Sequence, residues 1–138
     1  FILNLQGVKL YQNEFNCFPN EYFNQFINYS NKRRLKLYSS NQYDIYLLRW
    51  HPYYECKIHD HPPNGCLFKL LQGELIEKRY DDSLKLINTN NLKLNTSNYI
   101  DNSLYYHKII NNRDFLAYSL HIYSPPNFKM KIYTKKID

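Results

Sequence analysis

Two of the five histidines in this 138-residue chain are spaced to hold a metal. His59 and His61 flank Asp60, Cys66 follows five residues later, and a turn glycine stands at Gly73. Side chains on an extended strand alternate with a period of two, so His59 and His61 project to one face. Each neutral imidazole offers one nitrogen lone pair, so a pair on one face can share an ion. A third ligand has to come from His51, His107 or His121, and the last two lie in later strand-like segments. Two surface histidines would show the same spacing. The surroundings favour metal: Leu67, Phe68, Leu70 and Leu71 follow the pair, and Tyr105, Tyr106, Ile109 and Ile110 surround His107. Ser119, His121 and Tyr123 form a second set. They alternate ahead of Pro125 and Pro126, so they share a face, and polar groups on a buried face need partners.

These side chains need a scaffold of short strands. In residues 43–50, Asp44, Tyr46, Leu48 and Trp50 oppose Tyr43, Ile45 and Leu47, a strand pattern ended by His51 and Pro52. Residues 53–61 read as a second extended run carrying the histidine pair, and Pro62-Pro63-Asn64-Gly65 reads as a turn. Residues 66–71 and 74–80 are strands around Gln72-Gly73, and 84–87 with 92–94 reads as a weaker hairpin. Residues 35–38, 99–100, 105–110 and 115–124 continue the pattern, and 129–133 can close a sheet. Upstream, 15–18 is a strand or a tucked apolar loop. Asn20 caps a short helix over about 20–29, with apolar residues at 22, 23, 26 and 27. Strands at this spacing predict an all-β sandwich or barrel. No repeat or linker is visible, so the expectation is one domain: a lead-in over 1–34 and a barrel from about 35 to 138.

Composition narrows the function classes. The net charge of +6 is spread thinly, with Lys and Arg grouped only in Lys32-Arg33-Arg34 and in 129–136. No basic stripe or RNA-binding signature accompanies it, so no nucleic-acid partner is expected. Three cysteines, at 17, 56 and 66, are too few and unpatterned for a disulfide framework and suit a reducing, cytoplasmic setting. No secretory apolar region and no apolar run near 18 residues predicts a membrane span. Phe1 stands where an initiator Met would be expected, so the expectation is that a preceding segment was removed or left out. Eighteen Asn against three Gly imply that Asn takes on turn positions, because it tolerates left-handed backbone. His51 reads as a surface residue, and Cys17 and Cys56 carry no evident chemistry.

Two stretches, IHDHPPNGCLFKLLQGEL at 58–75 and SLHIYSPP at 119–126, resemble the cysteine dioxygenases, thiol dioxygenases of the cupin superfamily. The resemblance runs from about residue 26 to residue 126. It implies a cupin-type (jelly-roll) β-barrel with a short N-terminal helical segment. It implies His59, His61 and His107 as ligands of Fe(2+). Cupins at large often carry a Glu past the second histidine, where this chain has Cys66. That matches the cysteine dioxygenases in which this Cys forms a thioether cross-link with a Tyr, here Tyr123. His121 and Ser119 fall on positions that orient the tyrosine, and Trp50 on a tryptophan beside the pocket. Ungapped spacing back from Trp50 puts the carboxylate-binding arginine at Arg33, with Arg34 as its close competitor.

The implied reaction converts L-cysteine and O2 to cysteine sulfinic acid, and the default expectation for the chain is a monomer. Three neutral imidazoles leave the metal its full charge, more electrophilic than a set with a carboxylate. Coordination lowers the thiol pKa, and both oxygen atoms end on sulfur. Departures from the family pattern suggest two alternatives. Residues 51–57 are bulkier than the family's glycine-rich approach, and a family tyrosine two before the arginine falls on Asn31 or is displaced to Tyr29. The N-terminal part and the tail after Pro126 are also shorter. One alternative is a dioxygenase for another small thiol, such as 3-mercaptopropionate or a cysteamine-like amine. The other is a non-catalytic metal-binding cupin, with zinc as a variant metal.

Overall fold

The structure is a computed structural model that describes residues 32–134 together with Phe15 and Phe26. Ten strands make two five-stranded sheets. The strands are β1 (Arg34–Ser39), β2 (Asp44–Trp50), β3 (Ile58–His59), β4 (Cys66–Gln72), β5 (Ile76–Tyr80), β6 (Leu86–Asn91), β7 (Ser97–Ile100), β8 (Tyr106–Ile110), β9 (Ala117–Tyr123) and β10 (Ile132–Tyr133). The first sheet runs β1-β2-β9-β4-β7 and the second β10-β3-β8-β5-β6, with every strand pair antiparallel. The only helical element among residues 32–134 is a 3₁₀ turn, Asn102–Leu104. No helix among the described residues is long and apolar enough to cross a membrane.

Period-two alternation sorts the first sheet into two buried faces. Leu47, Leu67, Leu71, Tyr118, Leu120 and Ile122 point away from the second sheet and pack with Phe15 and Tyr43. Trp50, Cys66, Phe68, Leu70, Ala117 and Tyr123 point toward it and pack with Leu75, Leu92, Ile100 and Ile109. A strand covered on both sides reads as a continuous apolar run, and β4, CLFKLLQ, is buried from Cys66 to Leu71. Its one interior charge, Lys69, donates to the Phe15 carbonyl at 2.8 Å on the outer face. Ser119, His121 and Tyr123 are left on the inner face of β9, as their spacing predicts.

The expected strands at 35–38, 43–50, 66–71, 99–100 and 105–110 are present with shifts of one or two residues, and 129–133 contributes the two-residue edge strand β10. Two local expectations are corrected, and the strands expected around Gln72-Gly73 are present as β4 and β5. The run 53–61 is not one strand: β3 holds only Ile58 and His59, preceded by a lone bridge from Glu55 to Ile110. Cys56 N–H donates to the Ile109 carbonyl of β8, and Asn111 N–H, just past β8, donates to the Tyr54 carbonyl, so the segment runs alongside β8 without a continuous ladder. The hairpin expected from 84–87 and 92–94 does not form. β6 pairs with β5 across a turn that Asp81 closes by accepting from Ser83 N–H and Lys85 N–H, and Leu94 bridges Leu70 in the other sheet. The strands either side of Gln72-Gly73 belong to different sheets.

Asn95 and Asn127 do adopt left-handed backbone, as the Asn-for-Gly reading expects. Gly65 has φ +90°, and a Cβ there would lie 2.5 Å from the Tyr99 hydroxyl, so this corner between the histidine loop and β4 requires glycine. The predicted helix over 20–29 lies outside the described residues except Phe26, and Cys17 lies outside them too. Of 15–18 only Phe15 is described, and it is helical and buried rather than in a strand.

Candidate metal centre and the cavity beside it

β3 and β8 pair so that His59 and His107 stand directly opposite. His61 lies two residues past His59, beyond the strand end. It is aimed inward by its own N–H, which donates to Asn102 Oδ1 at 3.0 Å, and by the Pro62–Gly65 turn that follows, closed by Gly65 N–H to the Pro62 carbonyl. The three ligand nitrogens lie within 4.8 Å of one another. The His59–His61 pair thus shares a side as predicted, although a loop contact rather than strand alternation achieves it.

Hydrogen bonding fixes where the protons are. His59 Nδ1 lies 2.8 Å from the Lys57 carbonyl, which can only accept, so Nδ1 carries the proton. His107 Nδ1 lies 2.7 Å from Glu77 Oε2, again an acceptor. Both Nε2 atoms therefore present bare lone pairs, and they face each other at 3.1 Å. His61 Nε2 is buried with no hydrogen-bond partner. Burial lowers the pKa of all three imidazoles, most strongly for His61 and His107, which favours their neutral form near pH 7. Two bare lone pairs and a third, unpartnered imidazole nitrogen converge there. A cation satisfies all three, so the residues fit a bound metal.

Glu77 is the functional residue that sequence reasoning missed. It is 1% exposed on β5 and faces inward one diagonal step from His107. Its Oε1 accepts from Arg79 Nε at 2.9 Å, and Arg79 Nη2 donates to the Tyr99 carbonyl at 3.0 Å. A carboxylate behind a ligating histidine sets its tautomer and ring orientation and raises its basicity. The available signal was a charged pair at alternate positions of a short strand, Glu77 and Arg79, which pattern alone reads as a solvated face. Asn102, which holds the His61 loop, left no signal.

The second set forms a chain. Trp50 Nε1 donates to Ser119 Oγ at 2.8 Å, and Ser119 Oγ lies 2.7 Å from His121 Nε2. His121 Nδ1 lies 3.3 Å from the Tyr123 hydroxyl. Indole N–H can only donate, which leaves the Ser119 hydroxyl proton for His121 Nε2. A neutral His121 then carries its proton on Nδ1 and donates it to the Tyr123 oxygen. His121 stays neutral because burial first, and the nearby Arg34 guanidinium second, push its pKa down to about 3. The Tyr123 proton is thereby left free of this chain. Phe68 stacks on His121 at 5.6 Å and meets His107 edge-on at 5.5 Å, a fully buried wall between the two sets. The β4–β9 register pairs Cys66 with Tyr123, which puts their side chains side by side on the inner face.

A cavity of about 540 Å³ opens beside both sets, with His59, His107, His121 and Tyr123 on its lining. Arg33 and Arg34 both reach it. The Arg33 guanidinium lies 3.3 Å over the Tyr54 ring, and Arg34 lies 4.1 Å over Tyr46 and 5.7 Å over Tyr123. Trp50 lines the same space. His51 is exposed, as expected. Cys56, assigned no chemistry from sequence, proves to be a wall residue: its Sγ accepts from Ile109 N–H at 3.1 Å and lies 3.9 Å from His59 Nδ1, with burial pushing the thiol up to about 11.

Two sheets enclosing a three-histidine cluster that could hold a metal define a cupin-type barrel. Solved structures agree on the fold. A double-stranded β-helix domain protein from Klebsiella pneumoniae aligns with TM-score 0.62 and 16% identity over 81% of this chain and 94% of that one. A cupin superfamily protein from Desulfitobacterium hafniense aligns with TM-score 0.52 and 17% identity over 69% and 79%. The family model of cysteine dioxygenase type I matches residues 2–136, and the chain belongs to that family. Cysteine dioxygenase type 1 of Danio rerio is 30% identical over 134 residues, covering 90% of this chain and 67% of the relative; the Rattus norvegicus protein is 30% identical over 133 residues, covering 90% and 66%. The chain spans about two thirds of the length of these relatives.

Proposed function

We propose that this protein is a non-haem iron(II) thiol dioxygenase that converts L-cysteine and O2 to cysteine sulfinic acid. The observation that carries the reading is the pairing of three converging imidazoles, two with bare lone pairs and one with an unpartnered nitrogen, with a tyrosine hydroxyl held by a histidine at the same cavity. The overall change balances without a further reductant. Both oxygen atoms join sulfur, sulfur gives up four electrons, and dioxygen takes them.

His59, His61 and His107 would hold the iron through Nε2. When bound, the ion supplies a Lewis-acidic, redox-active centre that favours the thiolate over the thiol. The remaining work belongs to the protein. Glu77 keeps the His107 proton on Nδ1. Arg33, pinned by its face on Tyr54, turns its edge donors toward a substrate carboxylate. Trp50, Ser119 and His121 set the Tyr123 oxygen as an acceptor and leave its proton to be donated into the cavity. Phe68 and the surrounding apolar wall exclude water from the sulfur. Cys66 and Tyr123 would join through sulfur and ring carbon, a step that removes two hydrogen atoms with dioxygen as their acceptor, and their pairing across β4 and β9 supports it.

The test is anaerobic loading with ferrous iron, then oxygen uptake with L-cysteine and mass spectrometry of the product. One O2 consumed per thiol, with two oxygen atoms gained by cysteine, is the expected result. Stoichiometric iron with no oxygen uptake on any small thiol would overturn the reading in favour of a non-catalytic metal-binding cupin. Mass spectrometry of the intact protein checks the cross-link: wild type should be two hydrogens lighter than its sequence mass, and Cys66→Ser should not.

A further inference from the structure

Resting on the thiol-dioxygenase reading, we propose that Arg34 is a second anion-binding residue, so that beyond L-cysteine the cavity takes a small thiol carrying two carboxylates. The argument starts from charge. Arg33, Arg34, Arg49 and Lys57 all line the cavity, and no Asp or Glu does. Elsewhere cations find acids: Lys36 pairs with Asp44, Arg79 with Glu77, Lys108 with Glu55 and Arg113 with Glu74. Arg33 and Arg34 have neither a side-chain hydrogen bond nor an ion pair among the described residues, and only their faces are engaged, on Tyr54 and on Tyr46 with Tyr123. A guanidinium stacked by its face keeps its in-plane N–H donors available, in a fork that matches a carboxylate. The stacking restrains each guanidinium before an anion arrives, which lowers the entropy lost on binding.

The two forks stand at different places. Arg34 lies over Tyr46, whereas Arg33 lies over Tyr54, whose ring is 6.0 Å from that of Trp50. Each guanidinium is thus held on a ring of its own, and a second carboxylate finds donors that the first does not occupy. A thiol with one carboxylate leaves one fork to water, and a thiol with two carboxylates engages both while its sulfur reaches the histidines. The volume of about 540 Å³ falls in the range of pockets that take ligands larger than one amino acid. Arg34 is also the guanidinium whose charge is felt at His59, His121, Cys66 and Tyr123, which places its anion next to the reacting centre.

The experiment is calorimetric titration of anaerobic, iron-loaded protein with mercaptosuccinate, 3-mercaptopropionate and cysteamine. Wild type is compared with Arg33→Gln and Arg34→Gln, and oxygen uptake is measured alongside. Mercaptosuccinate should bind at least about tenfold more tightly than 3-mercaptopropionate, since a charge-assisted fork contributes at least that much. Arg34→Gln should abolish that advantage while leaving 3-mercaptopropionate affinity within about twofold. A parallel titration of chelator-treated protein with succinate and with propionate reads the two-fork recognition without metal or thiol, and succinate should bind more tightly only when both arginines are present. Equal affinity for mercaptosuccinate and 3-mercaptopropionate, or indifference to Arg34→Gln, would overturn the proposal and leave thiol oxidation standing. No oxygen uptake with any of the three thiols, or with L-cysteine, would overturn the thiol-dioxygenase reading and this proposal with it.

Discussion

Replacing Glu77 with Gln tests whether the metal centre depends on the carboxylate behind it. Glu77 is buried and accepts from three donors: His107 Nδ1 at 2.7 Å, Arg79 Nε at 2.9 Å and Asn90 Nδ2 at 3.4 Å. An amide of the same shape has one acceptor and one donor end. If its oxygen faces His107, its NH2 confronts Arg79 and Asn90; if reversed, it confronts His107 Nδ1–H. Either way donors meet donors in a buried site, at a cost of about 1–3 kcal/mol. In the reversed arrangement the proton on His107 is driven toward Nε2, where the metal must bind. Loss of such a partner weakens metal affinity by about 10- to 100-fold, equivalent to about 1.4–2.7 kcal/mol. The assay is competition for ferrous iron against a chromogenic chelator under anaerobic conditions, with urea unfolding of the metal-free variant in parallel. Glu77→Ala is the poorer test, because it also strands Arg79 and opens a cavity, costing several kcal/mol of fold stability. Iron affinity in Glu77→Gln within about twofold of wild type, at unchanged stability, would refute the proton assignment for His107 and the lone-pair argument built on it.

Further outcomes follow from the same geometry. His107→Ala should lose both stoichiometric iron, by metal analysis, and thiol-dependent oxygen uptake; retention of either would show that the centre is not the three-histidine set. Ser119→Ala removes the acceptor of Trp50 Nε1 and the donor to His121 Nε2, so urea unfolding should show a loss of about 1–3 kcal/mol. Its oxygen uptake should fall more than its iron content, because the Tyr123 proton is no longer fixed. Gly65→Ala forces a Cβ into Tyr99 at positive φ and should lower the melting temperature of the metal-free protein clearly, whereas Asn64→Ala in the same turn should change it less. His121 is neutral in the fold with its pKa pushed down to about 3, while in the unfolded chain it titrates near 6.5. Below that value the unfolded state binds more protons, so stability falls with falling pH, at about 1.4 kcal/mol per unit for this one imidazole. Urea titrations of metal-free protein from neutral pH toward pH 4 should show that slope at least, and a flat profile would contradict burial of neutral His121.

The strands and the His59–His61 pair were legible in the chain because their signals are local, whereas His107 was singled out only by the family resemblance. Alternation in residues 43–50 and 115–124, the turn at Pro62-Pro63-Asn64-Gly65, and the apolar run of β4 each report which face a residue occupies without reference to the rest of the fold. The Ser119, His121 and Tyr123 set was readable for the same reason, since one strand's period places all three together. Tertiary structure decided what lies between strands. Glu77 is charged and sits on a short strand, and only the β5–β8 register turns it from a solvated residue into the base behind His107. His61 keeps its place through Asn102, 41 residues away, and Cys56 becomes a cavity wall only because residues 54–56 run along β8. The arginines make the same point. Sequence spacing could name Arg33 and Arg34 as neighbours but could not separate them, because adjacent residues differ in direction only once β1 pairs with β2 and each guanidinium finds its own aromatic ring. Periodicity is a property of one segment, whereas a hydrogen-bond partner, a proton's location and a cavity's charge belong to several segments at once, and only packing brings these together.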